Sequence, residues 1–219
     1  MNILLTKKLS QEHLDLIKSW GWSYDIVEAL KISPVEIEEI PARAEAWIVS
    51  SRNSMHAVKK FIDKASFIYC IGDWIKKEIE KLGVKITVKD FENMKSLASD
   101  LSEQNLRNVI YFCGDEHRNE LKEGLKNTET KISKVVTHQS AMTFPVIRKE
   151  FDAVFVFSPR SAESLLKHNQ FSGKTIFGCI GSTTAEYLNS RGISNTFAPS
   201  YPDSKKLLEE LNRTLNFKH

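Results

Sequence analysis

The sequence predicts an α/β protein made of two similar units, each a mainly parallel sheet flanked by helices. Three observations carry that prediction. Short apolar runs rich in Val, Ile and Phe alternate with amphipathic stretches along the 219 residues, as expected where buried parallel strands are joined by helical crossovers. A segment of the first half returns in the second at a nearly constant offset, which marks a duplicated unit. Hydrophobic residues make up 41% of the chain against 9 Gly and 6 Pro, enough for a core and too few breakers for a long flexible linker. At this length one large or two modest domains are expected.

Taken in order, Ile3–Leu5 reads as the first strand, and Ser10 as a helix start. Ser33-Pro34-Val35-Glu36 has capping-box spacing with Pro at the first helical position, so a helix is expected to begin there. Trp47–Val49, Phe67–Ile71, Val109–Phe112, Val154–Phe157 and Ile176–Ile180 read as further buried strands. Ser158-Pro159 and Asp203 open later helices. Lys59, Lys60, Lys64, Lys76, Lys77 and Lys81 are interleaved with Asp63, Glu78 and Glu80, the mixed-sign pattern of a solvated helix face.

The repeat fixes where to look for a site. Ile48-Val49-Ser50-Ser51-Arg52-Asn53-Ser54 resembles Phe155-Val156-Phe157-Ser158-Pro159-Arg160-Ser161, 107 residues further on. Cys70-Ile71-Gly72 and Leu82-Gly83 recur as Cys179-Ile180-Gly181 and Arg191-Gly192, offset by 109 residues. Both copies place a serine where a strand meets a helix. Two such units suggest two domains facing a cleft, a usual place for a small-molecule site.

Ligands of open parallel sheets sit beyond the carboxyl ends of the strands, where helix N-termini offer backbone N–H groups and the positive end of the dipole. Anions suit such places. The junctions here are Ser50-Ser51-Arg52-Asn53, Gly72-Asp73, Cys113-Gly114-Asp115, Ser158-Pro159-Arg160-Ser161 and Gly181-Ser182-Thr183-Thr184. Small hydroxyl residues and glycines allow a carboxylate close to the backbone, and Arg52, Arg118 and Arg160 can add charge-assisted bonds. Each Ser or Thr also has a plain use as an N-cap, and each Gly as a tight turn. The Gly181-Ser182-Thr183-Thr184 turn is the strongest anion site, and Gly72-Asp73-Trp74 the weakest because its acid would repel one.

Other chemistries find little support. A net charge of +3 permits an acidic small ligand but is no nucleic-acid footprint. The six histidines lack metal-site spacing, and neither a phosphate loop nor a G-x-G-x-x-G run occurs. No metal, nucleotide or other cofactor is expected. Cys70, Cys113 and Cys179 have no C-x-x-C spacing and read as core residues. No apolar run is long enough for a membrane span, and Met1-Asn2-Ile3-Leu4-Leu5-Thr6 runs into a strand without a signal-peptide pattern. A cytoplasmic protein without membrane or nucleic-acid partners is expected.

The order of these motifs resembles the uroporphyrinogen-III synthase family over nearly the whole chain. The matching segments are Leu5-Thr6-Lys7, Val49-Ser50-Ser51-Arg52-Asn53 and Ile71-Gly72-Asp73-Trp74-Ile75 in the first half. In the second they are Gly114 with Arg118 and Leu121, Phe157-Ser158-Pro159-Arg160-Ser161, and Ile180-Gly181-Ser182-Thr183-Thr184-Ala185 with Leu188 and Gly192. The resemblance implies two flavodoxin-like domains joined by a two-stranded crossing. Residues 1–30 with 142–219 would form one domain and 31–141 the other, Val27–Ile32 and Val135–Ser140 being the crossing strands and the interdomain cleft the active site.

The resemblance also implies the reaction: hydroxymethylbilane cyclises to uroporphyrinogen III with inversion of ring D, in tetrapyrrole biosynthesis. The enzyme's task is then to orient a flexible polyanion. Substrate-binding residues would be Lys7, Ser51, Arg52, Asn53, Gly114, Arg118, Ser158, Arg160, Ser161, Gly181, Ser182, Thr183 and Thr184. Implied too are a monomer and a transient hand-over from hydroxymethylbilane synthase. The chain departs from the family at Lys7, which stands for an arginine, and at His138-Gln139-Ser140, where a tyrosine is usual with a threonine two residues later. His138 is thus read either as the proton donor to the departing hydroxyl or as a partly exposed hinge residue. Tyr201, after the last strand, is the next candidate. Two other function classes remain: a non-catalytic binding or sensor protein for a tetrapyrrole or other polycarboxylate, and a sugar- or nucleotide-transferring enzyme, which lacks a phosphate loop.

Overall fold

The computed structural model describes residues 1–42, 44–116 and 119–216. They form two compact units, Met1–Lys31 with Ala141–His219, and Ile32–Ser140.

The chain opens with β1 (Asn2–Leu5), α1 (Gln11–Ser19) and β2 (Ser23–Ile26). It then passes along β3 (Leu30–Pro34) into the second unit. That unit runs β4 (Ala46–Val49), α2 (Met55–Phe61), β5 (Phe67–Ile71), α3 (Asp73–Glu80), β6 (Thr87–Phe91), α4 (Met94–Glu103), β7 (Asn108–Gly114), α5 (Glu120–Gly124) and β8 (Lys131–Met142). The first unit is completed by β9 (Ala153–Val156), α6 (Pro159–Leu166), β10 (Ile176–Cys179), α7 (Ser182–Ser190), β11 (Thr196–Phe197) and α8 (Ser204–Asn216).

Five strands order as β11-β10-β9-β1-β2 in the first unit and six as β3-β8-β7-β4-β5-β6 in the second. All four pairings of the first sheet are parallel, as are those linking β8, β7, β4, β5 and β6. The repeat maps onto this plan: β4-α2-β5-α3 in one unit answers β9-α6-β10-α7 in the other.

Alternation along the strands builds a core on each face. In the first unit Ile3, Leu5, Ala153 and Phe155 pack with Leu14 and Ile17 of α1 and Leu207, Leu208 and Leu211 of α8. Leu4, Val154, Val156, Phe177 and Cys179 pack on the other face with Ala162, Leu165 and Leu188. In the second unit Trp47, Val49, Ile68, Cys70, Ile110 and Phe112 meet α2 and α3, while Ala46, Ile48, Tyr69, Val109, Tyr111 and Cys113 meet α4 and α5. The three cysteines are buried and free. Burial pushes the Cys70 and Cys179 thiols up to about 12, and the Cys113 thiol upward as well, so none is a ready nucleophile.

Two local expectations fail. Ser33-Pro34-Val35-Glu36 starts no helix: Ser33 and Pro34 end β3, and the Val35 N–H donates to the Thr137 carbonyl at 2.8 Å. Pro is tolerated there because β3 is an edge strand, which needs no second ladder partner. The strand expected at Val27–Ile32 begins only at Leu30, because the Val27 and Ala29 N–H groups turn back to the Leu5 and Thr6 carbonyls. The lysine-rich helices are a solvated face, with Lys59 and Lys81 paired to Glu78, Lys77 to Asp73 and Lys76 to Asp90. Among the described residues no helix is long and apolar enough to cross a membrane.

Candidate functional site

Parallel register brings the carboxyl ends of β1, β9 and β10 to one edge of the first sheet. Lys7 leaves β1 there with its ammonium 4.2 Å from the centre of the Phe157 ring. Next to it, Ser158 and Ser161 close a reciprocal capping box on α6. The Ser161 N–H donates to Ser158 Oγ at 3.0 Å, and the Ser158 N–H donates to Ser161 Oγ at 3.0 Å. Both serines are therefore engaged with their own helix. Arg160, between them, is half-buried.

The start of α7 is different. Its N-cap is Gly181, and no side chain caps the helix. Ser182 and Thr183 are exposed, whereas Thr184 is only 2% exposed. Gly181 is extended (φ −171°, ψ 174°), so any residue could adopt its backbone; a Cβ there would meet Pro202 at 3.7 Å. Pro202 follows Tyr201, which is exposed and carries the Lys206 ammonium 5.3 Å from its ring centre. An uncapped helix start with small residues is the anion-receptive arrangement, since its first N–H groups and dipole face outward.

In the second unit the edge is formed by the ends of β4, β5, β7 and β8. Ser51 caps the short 3-10 turn Arg52–Ser54 by accepting from the Asn53 N–H at 3.2 Å. Arg52 and Asn53 are exposed, and the Arg52 guanidinium lies 4.7 Å from the centre of the Trp74 ring. Trp74 is itself 39% exposed. Asp73, whose charge counted against this junction, is ion-paired with Lys77 at 2.6 Å, which offsets the repulsion expected of it. Ser50 Oγ lies 3.0 Å from the Tyr111 hydroxyl.

Gly114 ends β7 opposite a register shift: Cys113 pairs with Val136, but Gly114 pairs with His138. The extra residue, Thr137, is buried, and so is His138, where alternation would turn one of them outward. A Cβ on Gly114 would stand 2.7 Å from His138 Nε2, so only glycine lets the ring lie there. The imidazole is 8% exposed. Its Nδ1 is 2.9 Å from Thr137 Oγ1, which is also 2.8 Å from Ser54 Oγ. Burial holds His138 below the ordinary histidine value, helped by His56 and opposed by Asp115. Burial of the side chain removes the reading of His138 as a partly exposed hinge residue, and in setting its proton affinity desolvation outweighs the nearby acid.

Within each unit the structure thus gathers the expected residues at one sheet edge: Lys7, Ser158, Arg160, Ser161 and Gly181 to Thr184 in the first, and Ser51, Arg52, Asn53, Gly114 and His138 in the second. Arg118 lies outside the described residues. Sequence reasoning missed Ser54 and Thr137. The repeat had set Ser54 opposite Ser161, and the signal for Thr137 was two polar residues, Thr137 and His138, adjacent in a strand.

These features define a class: a duplicated parallel-sheet α/β protein whose strand–helix junctions offer N–H donors and cations at the carboxyl edge of each sheet. The chain belongs to the uroporphyrinogen-III synthase family, whose model, described as uroporphyrinogen-III synthase HemD, matches residues 16–209. In fold it is similar to the uroporphyrinogen-III synthetase of Helicobacter pylori, with 17% identity, a TM-score of 0.71, and 98% of this chain and 99% of that one covered. It is also similar to a mutant uroporphyrinogen III synthase of Thermus thermophilus, with 14% identity, a TM-score of 0.59 and 99% of each chain covered. No curated protein sequence matches.

Proposed function

We propose that this chain is a uroporphyrinogen-III synthase, a cyclising lyase of tetrapyrrole biosynthesis that converts hydroxymethylbilane to uroporphyrinogen III with inversion of ring D. The observation that carries the proposal is the family match over residues 16–209, on a chain whose α7 begins uncapped at Gly181. Loss of the substrate's hydroxyl gives an azafulvene cation. Attack by the substituted carbon of the last ring, fragmentation and recombination then invert that ring. The pyrroles supply the electrons, so the protein's work is to hold the polyanion in the reactive arrangement.

In this reading the N–H groups of Ser182 and Thr183 take one substrate carboxylate, with Lys7 nearby as a cation. Ser51, Arg52 and Asn53 serve another, with Arg118 and Arg160 as further cations. Ser158 and Ser161 act through the α6 start they cap. Gly114 makes room for His138, which is the candidate for proton transfer, with Tyr201 as the alternative. We propose residues 1–30 with 142–219 and residues 31–141 as the working domains of a cytoplasmic monomer that receives its substrate from hydroxymethylbilane synthase.

The test is the product isomer. With hydroxymethylbilane generated in situ, the chain should divert the product from the spontaneously formed isomer I to isomer III. Isomer I alone at high protein concentration would overturn the enzyme reading and favour a tetrapyrrole binder.

A further inference from the structure

We infer that Ser54 and Thr137 are positioning residues that hold the His138 imidazole with its proton on Nδ1, so that Nε2, beside Gly114, serves as the proton acceptor of the ring closure. The catalytic half of this inference rests on the cyclisation reading above; the tautomer does not.

The hydrogen-bond count carries it. Thr137 Oγ1 has three partners: the Cys113 carbonyl at 3.0 Å, Ser54 Oγ at 2.8 Å and His138 Nδ1 at 2.9 Å. A threonine hydroxyl has one hydrogen to give and two lone pairs to accept with. The Cys113 carbonyl can only accept, and it stands at the register shift where the strand ladder is broken. The Thr137 hydrogen therefore goes to Cys113, and the other two partners must donate to Thr137: Ser54 through its hydroxyl and His138 through Nδ1–H. Ser54 has a weaker outlet, the Phe112 carbonyl at 3.4 Å. All three side chains are buried, where an unmade bond is costly. The bulge, at which Thr137 and His138 are both buried and 2.9 Å apart through Oγ1 and Nδ1, is thus what fixes the tautomer.

The chemistry follows from the lone pair on Nε2. When the inverted ring forms its last carbon–carbon bond, the attacking ring carbon still carries its hydrogen. Loss of that hydrogen as a proton returns the C–H electron pair to the pyrrole and restores it. Nε2 takes the proton and becomes an imidazolium N–H. In the next turnover the same proton leaves with the substrate hydroxyl as water, so one water is lost per cycle and no proton accumulates. A buried imidazole suits this, since it gives the proton up readily.

Long-range 1H–15N correlation of the 15N-labelled full chain at neutral pH reads the tautomer, with His138 assigned by difference from His138→Gln. The expected spectrum has Nδ1 protonated and Nε2 bare. Thr137→Val, which keeps the shape and removes the acceptor, should move the proton towards Nε2 and lower kcat on the order of 10²-fold, with KM little changed. Thr137→Ser should restore both. A wild-type His138 with its proton on Nε2 overturns the inference whatever the activity. Full kcat in Thr137→Val overturns the catalytic half. A chain that makes no isomer III defeats the cyclisation reading instead and leaves the tautomer result standing.

Discussion

The starts of α6 and α7 leave adjacent strands of one sheet, and both are built from small and hydroxyl-bearing residues, yet they do opposite things. At α6 the Ser158–Ser161 box satisfies the helix from within. At α7 the cap is Gly181, which has no side chain to give, and Ser182 and Thr183 face outward. The difference teaches that residue type alone does not make an anion site. What matters is whether the first N–H groups of the helix are already used, and one serine placed three residues after another is enough to use them.

Converting one junction into the other tests this most severely. Gly181→Asp would give α7 an internal cap: the extended backbone accepts it, and its Cβ would make an ordinary contact with Pro202 at 3.7 Å. The new carboxylate would occupy the N–H groups assigned to the substrate and repel the substrate's own charge. A hydrogen bond to a charged group is worth roughly 1.5–3 kcal/mol, so kcat/KM should fall by about 10–150-fold while thermal stability holds or rises slightly. Unchanged kcat/KM in a folded variant would show that α7 does no more than α6.

The converse change removes the box. Ser158→Ala should cost about 1–2 kcal/mol of stability, lowering Tm by roughly 2–8 °C for a chain of this size. Catalytic parameters of the remaining folded protein should stay within about twofold, because Ser158 is engaged with Ser161. A variant with wild-type Tm and a raised KM would reverse the assignment and make Ser158 a substrate ligand.

A buried group at the other sheet edge gives a third case, in which the polar side chains are engaged with one another. His138 is held below its ordinary value, mainly by burial. The unfolded chain therefore takes up a proton at a pH where the folded chain still refuses it. Stability from this site is complete above the unfolded histidine value, about 6.5, and is lost as pH falls through it towards the folded one. Asp115 and His56 act on the imidazole in opposite senses, and neither reverses the sign. In His138→Gln the fall in Tm between neutral and mildly acidic pH should be shallower than in wild type. An equally steep fall would place the acid sensitivity elsewhere.

Much of this was legible in the sequence, for reasons that also explain what was not. Ile3–Leu5, Trp47–Val49 and Val154–Phe157 lie in central strands covered on both faces, so burial writes itself into unbroken apolar runs. The repeat exposed the Ser51 and Ser158 junctions because duplicated geometry keeps its turn residues. Edge strands β2 and β6 went unseen: Thr87-Val88-Lys89-Asp90-Phe91 is largely polar, as one partner and partial exposure permit. Ser33-Pro34 misled because the same residues that open a helix are tolerated at the end of an edge strand. The α6 box and the open α7 start look alike in sequence, since Ser161 caps only through its rotamer. The bulge at Thr137 is a property of pairing between two strands, and one strand's sequence does not carry it.

The smallest effect separates two neighbours within α7. Thr183 is exposed beside the uncapped N-terminus and Thr184 is buried, so only Thr183 can offer its hydroxyl to a ligand arriving from outside. Replacing either by Val keeps the branched shape and removes the hydroxyl. In Thr183→Val the lost bond to an already N–H-bound carboxylate should be worth about 1 kcal/mol, a fall of about fivefold in kcat/KM with Tm unchanged. In Thr184→Val both kcat/KM and Tm should be little changed, because the side chain is buried out of a ligand's reach and Val fills the same space without a hydroxyl to bury. Steady-state kinetics and thermal unfolding of the two variants, measured side by side, decide the point. Equal kinetic losses would mean that the substrate reaches past Thr183 into the helix start, and no kinetic loss in either would leave binding at α7 to the backbone N–H groups alone.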